Sequence, residues 1–163
     1  MRKGISKSIC ALCYITLALA VSPVLADDPD SSNIGDGQCS MSAREVVEEF
    51  IDLFYTQKQV RQAFERWVHP DYIQHKLTLP DGREAVVEFL EGLLERSPDR
   101  TFTVHRIIAS DDLVAVHYHS QANPDDTGFA VVDIFRVENC RMVEHWDVVQ
   151  RVPEESANDN TMF

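Results

Sequence analysis

Positive charge is scarce in this chain: 15 lysines and arginines stand against 27 aspartates and glutamates, a formal charge of −12 at neutral pH. With so few cations and none densely clustered in the body of the sequence, nothing is available to neutralise a run of phosphates. Nucleic acid and anionic membrane are therefore excluded as partners. Glycine is also sparse, at six residues. No phosphate-cradling glycine loop, dinucleotide fingerprint or Gly-x-Ser-x-Gly elbow appears, which removes nucleotide-binding, dehydrogenase and serine-hydrolase classes. The longest apolar run, from about Ile9 to Val21, falls short of the ~20 residues that a spanning helix needs. No internal repeat is present, and 163 residues suffice for one domain with a real core.

The N-terminus has the layout of an export signal. Arg2, Lys3 and Lys7 precede the apolar run, and Val24-Leu25-Ala26 ends in small residues that suit signal peptidase. Residues 1–26 are read as a signal peptide, so the protein is expected to be exported, to the periplasm or outside the cell, with no membrane association after cleavage. Cleavage removes three cations and no acids, moving the charge from −12 to −15. It also removes Cys10 and Cys13, leaving Cys39 and Cys140, which in an oxidising compartment either pair or remain separate thiols. Residues 27–40, rich in Asp, Ser, Gly and Pro, read as a disordered leader.

The domain proper is expected over residues 41–153. Ser42 and Glu45 make a capping-box pattern, and Val46, Val47, Phe50, Leu53 and Phe54 recur at helical spacing to about Gln57. A second helix covers about Val60 to Trp67, before Pro70. Tyr72 to Lys76 is a short extended piece. Pro80-Asp81-Gly82 then turns the chain into a third helix, carrying Val86, Val87, Phe89, Leu90, Leu93 and Leu94, which Ser97-Pro98 ends. From there the period is two: Thr101 to Ala109, Leu113 to Ala122, Gly128 to Glu138 and Arg141 to Val152 read as four strands. Helices followed by an antiparallel meander define an α+β fold, a curved sheet wrapped around the helices into a cone with a pocket. Residues 154–163 form a polar tail ending in Met162-Phe163, which either caps the pocket mouth, meets a second subunit, or frays.

Candidate chemistry concentrates in the last hairpin. A two-residue connection at Asn139-Cys140 sets Asp133 opposite Trp146, whereas a three-residue loop sets it opposite His145, about 5 Å away at Cβ, with Val131 opposite Asp147. In the second register an acid and an imidazole form a proton-transfer pair, unless both point to solvent. His117 and His119 share one face of the preceding strand with Leu113 and Ala115, while Val114, Val116 and Tyr118 take the other. Together with His75 and His145 they are conceivable copper or zinc ligands, but the mature chain has no H-E-x-x-H or C-x-x-C spacing, and no metal is expected. Tyr72 and His75, at the joint of helices and sheet, offer a donor and a base, or else satisfy backbone groups there. One of His105 and Arg106 must face the helices. Asp111-Asp112 and Asp125-Asp126 suit turns better than calcium.

Tyr72-Ile73-Gln74-His75, Asp112-Leu113-Val114-Ala115-Val116-His117, Val132-Asp133-Ile134-Phe135-Arg136-Val137-Glu138 and Val143-Glu144-His145-Trp146-Asp147 together resemble the SnoaL-like polyketide cyclase branch of the nuclear transport factor two-like superfamily, over about Ala43 to Pro153. The resemblance implies a cone-shaped α+β barrel, often a homodimer through its sheet. It implies an inward Asp133, because the similar ketosteroid isomerases carry a donor aspartic acid at the matching place of an Ile-Asp-x-x-Arg strand, and a cavity-lining His145. No counterpart of the isomerases' other catalytic acid is found. The expected function is the binding of a small carbonyl-type organic molecule with cofactor-free acid-base catalysis of aldol, cyclase or isomerase type. Asp133, His145, His75, Tyr72 and His117 are the catalytic candidates, and Phe135, Phe129, Leu113, His119, Val131 and Asp147 the pocket lining. The alternative is a non-catalytic small-molecule-binding or dimeric interaction module on the same scaffold. A water-activating hydrolase ranks behind both, since Asp133 and Asp147 are the sole acids at hand.

Overall fold

The computed structural model describes residues 39–163. The signal peptide expected at 1–26, Cys10, Cys13 and nearly all of the leader expected at 27–40 lie outside the described residues.

The first helix, α1 (Ala43–Ile51), starts where the capping box places it: the Ser42 amide donates to Glu45 Oε2 at 2.7 Å and the Glu45 amide donates to Ser42 Oγ at 3.3 Å. Val46, Val47, Phe50 and Ile51 form its buried stripe. Its last turns widen into a π-helical segment, Asp52–Thr56, in which the Gln57 amide reaches back to the Asp52 carbonyl. That extra residue per turn rotates both Phe54 and Tyr55 into the interior. Helix α2 (Val60–Trp67) leads into strand β1 (Val68–Gln74), and α3 (Arg83–Arg96) precedes strands β2 (Thr101–Ser110), β3 (Leu113–Gln121), β4 (Phe129–Glu138) and β5 (Arg141–Arg151).

The strands lie in the order β1-β5-β4-β3-β2. The last four form the expected antiparallel meander, but the extended piece at the helix joint is a full fifth strand, and it runs parallel to β5. The sheet is therefore mixed and not closed. Pro70, with no amide hydrogen, falls in the break of the β1 ladder between Val68 and Ile73, as suits an edge strand. Along β3 the residues alternate strictly, Val114, Val116, Tyr118 and Ser120 inward and their neighbours outward. Phe50 is the hub of the core, with edge-on contacts to Phe54, Phe64 and Phe135 at ring separations of 5.8, 5.1 and 5.8 Å.

Cys39 and Cys140 form a disulfide, with Cα atoms 5.5 Å apart and 101 residues of separation along the chain. A loop that long corresponds to about 4 to 5 kcal/mol in the chain-entropy treatment of a cross-link. The paired acids are turn residues, as read: the Asp126 carboxylate accepts from the amides of Ala122 and Gly128 at 2.9 and 3.1 Å. The tail has no regular structure, and its last residue does not reach the pocket mouth. Phe163 packs on the outer face of the sheet, stacked against His105 and His117 at 4.6 and 5.5 Å and tilted against His119 at 4.5 Å.

Candidate functional site

Between the sheet and the helices lies a cavity of about 290 Å³, at the lower end of the range of small-molecule sites. Its wall is mostly aromatic and aliphatic, and its polar groups include Asp133 on β4 and His145 and Asp147 on β5. The hairpin register that brings them there is neither of the two expected. The connection is the two-residue one, Asn139-Cys140, with φ of 47° and 58° as a primed turn demands. A bulge then inserts one extra residue in β5, so Val137 pairs with Met142 but Arg136 with Glu144. As a result Asp133 lies opposite Asp147, and His145 opposite Phe135. Asp133 and His145 are diagonal neighbours on the inner face, both nine-tenths buried.

The hydrogen bonds around this pair fix where one proton sits. The Lys76 amide donates to Gln74 Oε1 at 2.9 Å, which identifies that atom as the carbonyl oxygen of the side chain. Since the same oxygen lies 2.9 Å from His145 Nδ1, the imidazole must donate from Nδ1. His145 Nε2 then faces Asp133 Oδ1 at 3.3 Å. Asp133 Oδ2 meanwhile accepts from the Tyr55 hydroxyl at 3.0 Å. A buried carboxyl group in contact with an imidazole is a pair of the kind that can take or give a proton.

Three phenols surround it. Burial pushes Tyr55 well above its ordinary pKa, with Tyr118 and Asp133 adding to the effect. Burial and then the Asp133 charge do the same for Tyr118, and burial with Asp133 and Asp147 for Tyr72. All three therefore stay protonated donors. The Tyr72 ring stacks on His145 at 6.1 Å, and its hydroxyl has no hydrogen-bond partner among the described residues. Asp147, directly across from Asp133, is paired with Lys76, which relieves the repulsion of two facing carboxylates.

Of the residues singled out in the sequence, Asp133, His145, Tyr72, Phe135, Phe129, Val131 and Asp147 all line this cavity. His117, His119 and Leu113 do not: the alternation of β3 turns them to the outer face, where Leu113 is 41% exposed. His117 lies against Arg106, with desolvation first and then the Arg106 and His105 charges lowering its pKa, and the His119 ring meets the Thr127 carbonyl at 2.8 Å. His75 is also outside the cavity. It stacks on Trp146 at 4.8 Å and contacts Glu144 at 2.8 Å, the carboxylate being lowered by His75 and then Arg136. The period of two explains this, because Tyr72 and Gln74 take the inward positions of β1 and leave Ile73 and His75 outward. Nor does either of His105 and Arg106 face the helices: a bulge between Val104 and Arg106 leaves both exposed. The imidazoles at 75, 117, 119 and 145 are thus split between two faces of the sheet, and among the described residues no group of three or more metal-ligating side chains converges.

Tyr55, Gln74, Lys76 and Tyr118 belong to the site and were not among the candidates. Gln74 and Tyr118 were visible in the alternation of their strands. Tyr55 was not, because only the π-helical widening turns it inward.

A helical layer packed against a curved mixed sheet, with an apolar hollow between them that holds a few polar groups, is the architecture of the nuclear transport factor two-like class. Within it, the sequence profile of the SnoaL-like domain matches residues 47–145, more than half of the chain, and the protein belongs to that family. Among solved structures the chain is similar to IdmH of Streptomyces antibioticus, a candidate polyketide cyclase, at 20% identity over 67% of this chain and 92% of that one, TM-score 0.54. It is similar to a nuclear transport factor two-like protein of Cytophaga hutchinsonii at 16% identity over 69% and 94%, TM-score 0.56. A SnoaL-like protein of Burkholderia thailandensis matches at 19% over 66% and 93%, TM-score 0.53. At such identities the likeness shows the fold alone. A comparison with curated proteins gives no match.

Proposed function

We propose that the protein is an exported, cofactor-free acid-base catalyst that holds a small carbonyl compound in the cone and moves a proton at the carbon next to the carbonyl, as in an aldol closure. The observation that carries this reading is the contact of His145 Nε2 with Asp133 Oδ1, 3.3 Å apart inside an apolar hollow, with the tautomer of the imidazole set by Gln74. The pair removes the α-proton and returns it. The Tyr72 hydroxyl, buried and held protonated, donates to the oxygen on which charge develops. Likeness to a candidate polyketide cyclase agrees with this chemistry. The disulfide agrees with export, since such bonds persist in oxidising compartments. A homodimer through the outer face of the sheet is part of the proposal, supported by exposed Ile108, Leu113 and Val148 there.

The test uses 2-tetralone, a small aromatic ketone with acidic α-hydrogens, in deuterated buffer. The protein is expected to accelerate deuterium incorporation at the α-carbon. Asp133→Asn and His145→Ala are each expected to slow it by about 100-fold or more, with the melting temperature shifted by only a few degrees. Incorporation at equal rates in all three proteins contradicts the reading. The cavity's largely apolar wall also favours a second reading, a non-catalytic binder, in which the ketone binds without exchange.

A further inference from the structure

The polar groups discussed so far occupy one end of the cavity, and a cation occupies another part of its wall. Arg100 stands just before β2, in a turn closed by its own amide on the Ser97 carbonyl at 3.0 Å, and its side chain lines the cavity. Nη1 donates to Ser120 Oγ at 2.8 Å. Nε is buried without a hydrogen-bond partner, and Arg100 takes part in no ion pair among the described residues. In a chain with 27 acids this is informative, because the other cation lining the cavity, Lys76, is matched by Asp147. A second cation, Lys58, lies alongside, its ammonium 4.4 Å above the Phe102 ring, and Arg100 acts with burial to lower its pKa. Leaving a buried N–H unmet is costly, and a guanidinium presents its donors as a planar fork that matches a carboxylate.

The sheet register sets the spacing between the two polar regions. Asp133 is opposite Val116, and Ser120 is four residues further along β3, about 13 Å at the strand's rise per residue. Between them the wall is aromatic, with Tyr55 stacked on Phe102 at 4.8 Å and Tyr118 5.0 Å from Tyr55. We propose that Arg100 and Ser120 form an anion-recognition site, and that the natural ligand is a flat, largely apolar carboxylic acid whose carboxylate sits on Arg100 while its body lies along the aromatic wall toward Asp133 and His145. The orientation of the ligand's other end rests on the acid-base reading, whereas the anion site stands on Arg100 itself.

The matched probes are 2-naphthoate and 2-naphthamide, equal in shape and different in charge, titrated calorimetrically into the purified protein. Naphthoate is expected to bind at least about tenfold more tightly than the amide, as a charge-assisted fork warrants. Arg100→Gln is expected to abolish that preference and keep amide binding, and Arg100→Lys to retain part of it, which controls for a variant that merely fails to fold. Asp133→Asn and His145→Ala are expected to keep the preference. Equal affinities in the unaltered protein, a preference that survives in Arg100→Gln, or no naphthoate binding up to millimolar concentration overturns the proposal. A naphthoate preference without 2-tetralone exchange leaves the anion site standing and removes the acid-base reading; exchange without a preference does the reverse.

Discussion

Gln74 has an influence out of proportion to its chemistry. Its side-chain oxygen, pinned by the Lys76 amide, dictates the His145 tautomer and so leaves Nε2 facing the buried Asp133 carboxyl group. The phenols around that pair are equally constrained. Tyr55, Tyr72 and Tyr118 are the only tyrosines outside the N-terminal segment that holds Tyr14, and burial raises each of them well above the ordinary value. A raised folded-state pKa contributes stability that is complete below the unfolded value, about 10, and is lost as pH rises toward the folded one. Alkaline titration followed at 295 nm is therefore expected to show no phenolate from these three near pH 10, only that of Tyr14 where residues 1–26 are retained. Their signal should appear together with unfolding at higher pH, and three phenols ionising near 10 in the folded protein would refute their burial.

At the scale of elements, bulges and turns decide what faces the cavity. Gly128 opens β4 at a φ of 75°, and a Cβ there would lie 2.4 Å from the Ser120 carbonyl and 2.6 Å from His119 Nε2. Gly128→Ala is expected to lose about 1 to 3 kcal/mol in chemical denaturation, from strain at positive φ and from the clash beside the strand that carries Ser120. A change below about 0.5 kcal/mol, the level of an ordinary surface substitution, counts against this account of the turn. Strand and helix positions were readable because period and capping are local: Ser42, Glu45 and the alternation of β3 needed no knowledge of the rest of the chain. Register was not readable. The β5 bulge and the β2 bulge at His105 each arise from pairing between strands, and one inserted residue moves every partner beyond it. That is why the two registers left open in the sequence set Asp133 opposite Trp146 or His145, and neither set it opposite Asp147. The parallel pairing of β1 with β5 was hidden for a similar reason, since a short extended run carries no mark of the strand it will join.

Over the described domain, the helices pack on the inner face of the sheet and leave a cavity between the two layers, so the same fold that buries Phe50 leaves room beside Asp133. The family resemblance legible in the sequence extended over nearly the whole described chain and placed Asp133 and His145 inside, but it left open which surrounding groups join them. His75, His117 and His119 drew attention because histidine is chemically versatile, yet the inner positions of β1 and β3 belong to Gln74 and Tyr118. Two faces of one sheet thus carry distinct chemistry: a buried carboxyl and imidazole pair inside, and outside a row of imidazoles against Phe163. The account stands or falls on which face meets a carbonyl compound. Intermolecular nuclear Overhauser effects between the α-hydrogens of bound 2-tetralone and the protein measure this directly. The expected contacts are with the ring hydrogens of His145 and Tyr72; contacts confined to His105, His117 or His119 would place the ligand on the outer face and contradict the assignment.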